Sequence, residues 1–320
     1  FKRHVALPEK GEGHYNQGNL LAGLILPSAA PCRQNLMDTP VDTDIDPRWQ
    51  VALNHSRYLS NLFQAQPALI PELRAMWEEA PHAAQLLAPL QQQFTNDDEL
   101  KTALRRLRHR TMAHIALRDL CGLAPLSEVV ESMTLLADVT TNFVLDYFHR
   151  QLAAQYGEPL DAQGQPLRLL IIGMGKLGGR ELNVSSDVDY IFVYPEDGDT
   201  NGRKSIENYD FFNRLGKRVI QALGDLTANG QVFRVDMRLR PNGDSGPLVC
   251  SLDSLENYFI TQGREWERYA WIKARTMNEG ANLQPVWVEA MQKIARPFVF
   301  RKYLDFGAIN AMRDLHAQIR

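Results

Sequence analysis

The chain has 320 residues, 44% hydrophobic, 23% charged and 9% aromatic, an ordinary globular balance long enough for a core shared by two or three units. A net charge of −3 gives no global pull toward nucleic acid or an anionic membrane, and no apolar stretch reaches the roughly 20 residues that span a bilayer. The three cysteines, Cys32, Cys121 and Cys250, lie far apart with no CxxC pair, which suits reduced thiols in a cytoplasmic protein and excludes a disulfide framework or cysteine zinc site.

Residues 1–48 read as a leader. Leu20 to Ala30 is apolar but broken by Pro27 and lacks the tight basic flank of a secretion signal; Met37 looks like a natural start, so 1–36 are expected to be extraneous or poorly ordered. Residues 49–160 form a helical subdomain. Asp46 or Asp42 can cap a first helix through Val51, Leu53, Tyr58, Leu59 and Phe63, and Pro67, Pro71, Pro81 and Pro89 cut the next stretch into short helices. Asn96 starts a long helix, Asp97 to Leu120, closed by Gly122; its Arg105, Arg106, Arg108 and Arg110 read as a solvated basic face rather than a partner site. Another helix runs from about Ser127 to Tyr156.

After a turn-rich linker, Pro159 to Pro166, the pattern changes, and residues 161–250 form the catalytic unit. Leu167 to Ile172, Asp189 to Tyr194 and Gln231 to Leu239 read as strands, with Leu248 to Ser251 as a further one and a helix at Asn208 to Leu223. Residues 251–320 return to helical patterns and end inside an apparent helix, which reads as a fragment with a truncated C-terminal helical subdomain. The fold class is α+β, a mixed sheet flanked by N- and C-terminal helical bundles.

The chemistry concentrates between Leu167 and Val249. Gly173-Met174-Gly175-Lys176-Leu177-Gly178-Gly179 is a GxGxxG after a strand, the dinucleotide-binding fingerprint. Only Arg180 to Val184 separate it from Ser185-Ser186-Asp187-Val188-Asp189, too few for the helix that such a fold needs, and no alternating strand–helix units follow. The turn is better read as a phosphate-facing wall, with Gly173, Gly175, Lys176, Gly178, Gly179 and Ser186 as its contacts. Asp187 and Asp189, two apart at the start of a strand, point the same way. Paired acids repel unless a cation lies between them, and hard cations take carboxylate oxygens. Asp236 in VDMRLRP is flanked by apolar residues; on a strand it would share a face with Arg238 and Arg240, whose planar forks suit phosphate oxygens. Together these pieces describe a two-metal phosphoryl-transfer site, with two Mg²⁺ ions on Asp187, Asp189 and Asp236.

GMGKLGGRELNVSSDVDYIF resembles the nucleotidyltransferase motif of the bifunctional glutamine synthetase adenylyltransferase/adenylyl-removing family, as do VDMRLRPNGDSGPLV at 235–249, WERYAWIKAR at 266–275 and the basic helix LRRLRHRTMAHIALRDLCGL. The resemblance covers residue 49 to the end. It implies a β-polymerase-like nucleotidyltransferase fold and, within a family carrying two such domains, the N-terminal, adenylyl-removing one. The implied reaction is phosphorolysis of the AMP–tyrosine bond on adenylylated glutamine synthetase, consuming inorganic phosphate and releasing ADP, under stimulation by the uridylylated PII signalling protein. Asp187, Asp189 and Asp236 become its metal-binding acids. The Gly-Ser usual in the turn of broader nucleotidyltransferases is absent, so Lys176 or backbone N–H groups would replace the serine hydroxyl. The acids alone do not fix the direction of transfer, so forward nucleotidyl transfer to another acceptor and a non-catalytic nucleotide- or PII-sensing module are the alternatives; the intact acid triad counts against the latter.

Overall fold

Asp46 accepts a hydrogen bond from the Arg48 amide (2.9 Å) and caps α1 (Pro47–His55), with proline in its first turn. The computed structural model describes residues 46–280 and 283–300, together with positions 310, 313, 314, 316 and 317. The readings of 1–36 and of Met37 fall outside these residues. The single first helix expected through Phe63 is two: extended Ser56 ends α1 and its hydroxyl accepts the Leu59 amide (3.2 Å), capping α2 (Arg57–Ala65). Short helices α3 (Leu69–Arg74) and α4 (Ala83–Leu87) follow among the prolines. Asn96 caps α5 (Asp97–Leu120) through the Glu99 amide (2.9 Å), and Asp97, Asp98 and Glu99 place three acids at the positive end of its dipole.

The basic residues of α5 are a solvated face only in part, for Arg106 keeps 62% of its side chain exposed. Arg105 is fully buried and donates to the carbonyls of Lys101 (3.0 Å), Ala222 (3.0 Å), Gly230 (2.9 Å) and Asp225. Arg106 pairs with Glu72, Arg110 donates to the Gln85 carbonyl, and Arg108 lies over the Phe233 ring. Arg105 and Arg110 tie distant backbone to α5, a use of arginine that periodicity does not reveal.

α6 (Leu126–Tyr156) lies beneath a mixed sheet whose main path runs β3-β2-β1-β5. β1 (Leu170–Gly173) is antiparallel to β2 (Val188–Tyr194) and to β5 (Arg275–Thr276). Along its other edge β2 is parallel first to β3 (Val235–Asp236) and then to β4 (Val249–Ser251). The glycine stretch after β1 makes a single helical turn, α7 (Gly175–Gly178), while α8 (Asn208–Gly224) links β2 to β3. The strand expected over 231–239 shrinks to two residues because the chain turns at Met237, where the Arg240 amide bonds back to the Met237 carbonyl (3.2 Å). β5 was not expected.

The alternation of β2 divides two cores. Tyr190, Phe192 and Tyr194 join a cluster with α6 and α8; Ile191 and Val193 join a second with α9 (Leu252–Thr261), α10 (Glu265–Trp271) and α11 (Pro285–Val299). The α+β expectation of a mixed sheet between helical layers holds. Among the described residues no helix is long and apolar enough to cross a membrane.

Candidate active site

Parallel pairing sets Val188 opposite Val235 and Asp189 opposite Asp236. Both valines turn toward the α6 cluster, so Asp189 and Asp236 stand side by side on the other face, with Asp187 two residues before Asp189. Like charges opposite one another on neighbouring strands destabilise a sheet. Burial, Asp236 and Asp187 together push the Asp189 carboxyl up to about 6. Asp236 moves the other way: the Arg238 side chain donates to it (Nε to Oδ2 2.8 Å, Nη2 to Oδ2 2.5 Å), the Arg238 amide adds a bond (2.8 Å), and its pKa falls below the usual carboxylate range. Asp187 pairs with Arg234, which follows from the backbone, since the Val188 amide donates to the Arg234 carbonyl (2.9 Å).

The glycine turn divides by residue. Gly175, at φ +56°, faces the acids; a Cβ there would stand 3.3 Å from Asp189 Oδ2. The Met174 amide donates to the Asp189 carbonyl (3.0 Å), locking the turn to β2. Gly178 faces away from the acids, and its Cβ would come within 2.0 Å of the Lys273 carbonyl. Gly179 packs on the Lys273 stem, and Gly173 ends β1 against Met277 and Leu177. Lys176 is exposed on α7. The Ser186 hydroxyl is engaged with Asn183 inside its own turn. Arg240 does not share a face with Asp236: beyond the end of β3 its guanidinium donates to the carbonyls of Met237 (2.8 Å), Asp244 (3.2 Å) and Gly246 (3.4 Å), tying the 237–246 loop.

Arg234, near the acids, was missed in sequence, whereas Lys273 and Arg275 belong to the WERYAWIKAR stretch that carried part of the resemblance. Arg234 lies two before Asp236, so strand alternation could have found it. Lys273 and Arg275, in the WIKAR stretch, back the glycine turn: Arg275 pairs with Gly173 across β1–β5 and its side chain reaches Asp138 (2.9 Å) and the Leu177 carbonyl (3.3 Å). No local pattern announces that contact.

Among the described residues, no three acidic, histidine or cysteine groups are gathered closely enough to hold an ion as they stand. Asp187 and Asp236 are turned to arginines instead. The donor set still fits a hard divalent cation: all donors are carboxylate oxygens, Asp189 and Asp236 are paired across two strands with Asp187 just before β2, and burial together with these acids raises Asp189.

The fold and these side chains define an α+β protein that presents two aspartates from a parallel strand pair, and a third just before it, beside a glycine turn. Residues 49–288 match the Glutamate-ammonia ligase adenylyltransferase family, and the chain belongs to it. A protein of Aromatoleum aromaticum named "Bifunctional glutamine synthetase adenylyltransferase/adenylyl-removing enzyme" is 54% identical over 285 residues, covering 88% of this chain and 30% of the relative. A Nitrosomonas europaea protein of the same name is 49% identical over 89% of this chain and 31% of its own length, and one of Neisseria meningitidis serogroup B is 51% identical over 70% and 24%. The chain thus spans under a third of the length of these relatives.

Proposed function

We propose that the chain removes AMP from the adenylylated tyrosine of glutamine synthetase by phosphorolysis, releasing ADP. The observation that carries this reading is the pairing of Asp189 with Asp236 on adjacent parallel strands, with Asp187 two residues away. The name shared by the relatives supports the substrate. An oxygen of inorganic phosphate attacks the phosphorus of the tyrosyl adenylate, the phosphorus–oxygen bond to tyrosine breaks, and the phenolate takes up a proton. Asp187, Asp189 and Asp236 would hold two Mg²⁺ ions, which supply neutralisation of charge on the non-bridging oxygens and the departing phenolate. The chain's own part is to fix those carboxylates on two strands, to bring the Gly175 backbone up to Asp189, and to offer Arg238 from the rim, 73% exposed, to phosphate oxygens. Lys176, exposed on the turn, would add a positive charge for the phosphate. A PII protein is proposed as the regulator.

Incubating the chain with adenylylated glutamine synthetase, Mg²⁺ and phosphate tests the reading. ADP that appears only when phosphate is present supports phosphorolysis, AMP points to hydrolysis, and silence from a folded chain removes the catalytic reading. The relatives' name carries both activities, which keeps forward adenylyl transfer as the second reading; ATP-dependent labelling of unmodified glutamine synthetase would select it.

A further inference from the structure

Three arginines lie along β3 and the turn after it, and they are held differently. Arg240 keeps only 12% of its side chain exposed and is spent on loop carbonyls. Arg238 is fastened to Asp236 within a single turn, by its side chain and its backbone amide. Arg234 reaches from the residue before β3 to Asp187 Oδ1, with 70% of its side chain exposed against 26% for Asp187. Its backbone is fixed by the bond from the Val188 amide, while its guanidinium is secured to the site at its tip. A guanidinium and a divalent cation call on the same carboxylate lone pairs, so both cannot hold Asp187 Oδ1 in full.

We propose that Arg234 is an internal counter-ion for Asp187, which a divalent cation displaces and which then binds an anionic oxygen of the substrate. The proposal rests on reading Asp187 as a metal ligand. An ion pair this exposed is weak, so displacing it costs the cation about two- to fivefold in affinity. The released guanidinium remains tethered beside the metal, where a phosphate oxygen would arrive, and its planar fork suits that partner.

Mn²⁺, whose free form is read directly by its paramagnetic signal, is the probe. Arg234→Gln is expected to bind Mn²⁺ about two- to fivefold more tightly than the unaltered chain. Arg234→Lys, which keeps the charge, is expected to stay near the unaltered value. At saturating Mn²⁺, inorganic phosphate is expected to bind several-fold more weakly to Arg234→Gln. Unchanged or weaker Mn²⁺ binding by Arg234→Gln overturns the counter-ion role, and unchanged phosphate binding overturns the second half. Asp187→Asn separates the two readings. If Mn²⁺ binding is absent from the unaltered chain, or survives intact in Asp187→Asn, the ligand reading fails and the proposal with it. If Asp187→Asn loses Mn²⁺ while Arg234→Gln gains nothing, only the counter-ion inference fails. The exposed position of Arg234 keeps the fold out of the comparison, and circular dichroism checks it.

Discussion

Asp189 sits where burial and two neighbouring acids all disfavour its charge, and its pKa rises to about 6 from an ordinary 3.8. Between those values the folded chain binds more protons than the unfolded one, so this group lowers stability as pH rises through the window and restores it as pH falls. Asp189→Asn removes the repulsion without changing shape. It is expected to raise the melting temperature of the metal-free protein by a few degrees above about pH 7, with the gain shrinking toward pH 4, while abolishing turnover. Melting curves of both proteins in chelator across that range check it; a variant less stable than its parent at neutral pH would show that Asp189 is already neutralised. The three acids were legible in the sequence because alternation needs only the local strand. Arg240 was misplaced by the same rule, because alternation was carried four residues past the end of β3, into a turn that arises from the Arg240–Met237 backbone bond.

At the scale of elements, the glycine turn is held from behind by the 273–276 segment. Gly178 must be glycine because its Cα lies against the Lys273 carbonyl, where a Cβ would meet oxygen at 2.0 Å and the Gly173 carbonyl at 2.4 Å. Gly178→Ala is expected to cost about 1–3 kcal/mol in denaturant unfolding. It should also lower activity, because α7 and Gly175 shift against Asp189. Stability equal to the parent's would mean that the turn moves without penalty. Helix α5 was visible from its cap and periodicity, and α6 and α8 from their apolar patterns, but what α5 does with its arginines was not, since the carbonyls of 222, 225 and 230 to which Arg105 donates lie more than a hundred residues away in sequence. Arg105→Leu keeps some volume but leaves those buried carbonyls without their donor. A loss of about 3–5 kcal/mol is expected, measured by urea unfolding. A loss under about 1 kcal/mol would show that water replaces the guanidinium.

The whole molecule does not respect the segment boundaries that composition suggests. Pro159 to Pro166 marks a change of pattern, yet the larger core runs without a break from Trp49 to Met277. Tyr190 of β2, fully buried, shares a hydrogen bond with Thr141 of α6 (2.7 Å), and the Leu182 amide donates to Thr134 of the same helix (3.3 Å). The opposite sheet face is covered by residues beyond 250, from Leu252, Leu255 and Phe259 to Val288 and Met291. Sequence patterns show where strands and helices change places but not which helix closes which face, because that depends on contacts between distant segments. Residues 161–250, taken alone, therefore keep α8 but lose α6 from one face and α9 to α11 from the other. Exposing that much apolar surface exceeds what a piece of this size can offset, since small domains are already marginal. The excised 161–250 segment is expected to lack a cooperative thermal transition and to bind a hydrophobic dye, whereas residues 46–300 should melt in one transition followed equally by fluorescence and circular dichroism. A sharp, reversible melt of 161–250 would show instead that the sheet and α8 form a self-sufficient unit, and that the helical layers serve the substrate rather than the fold.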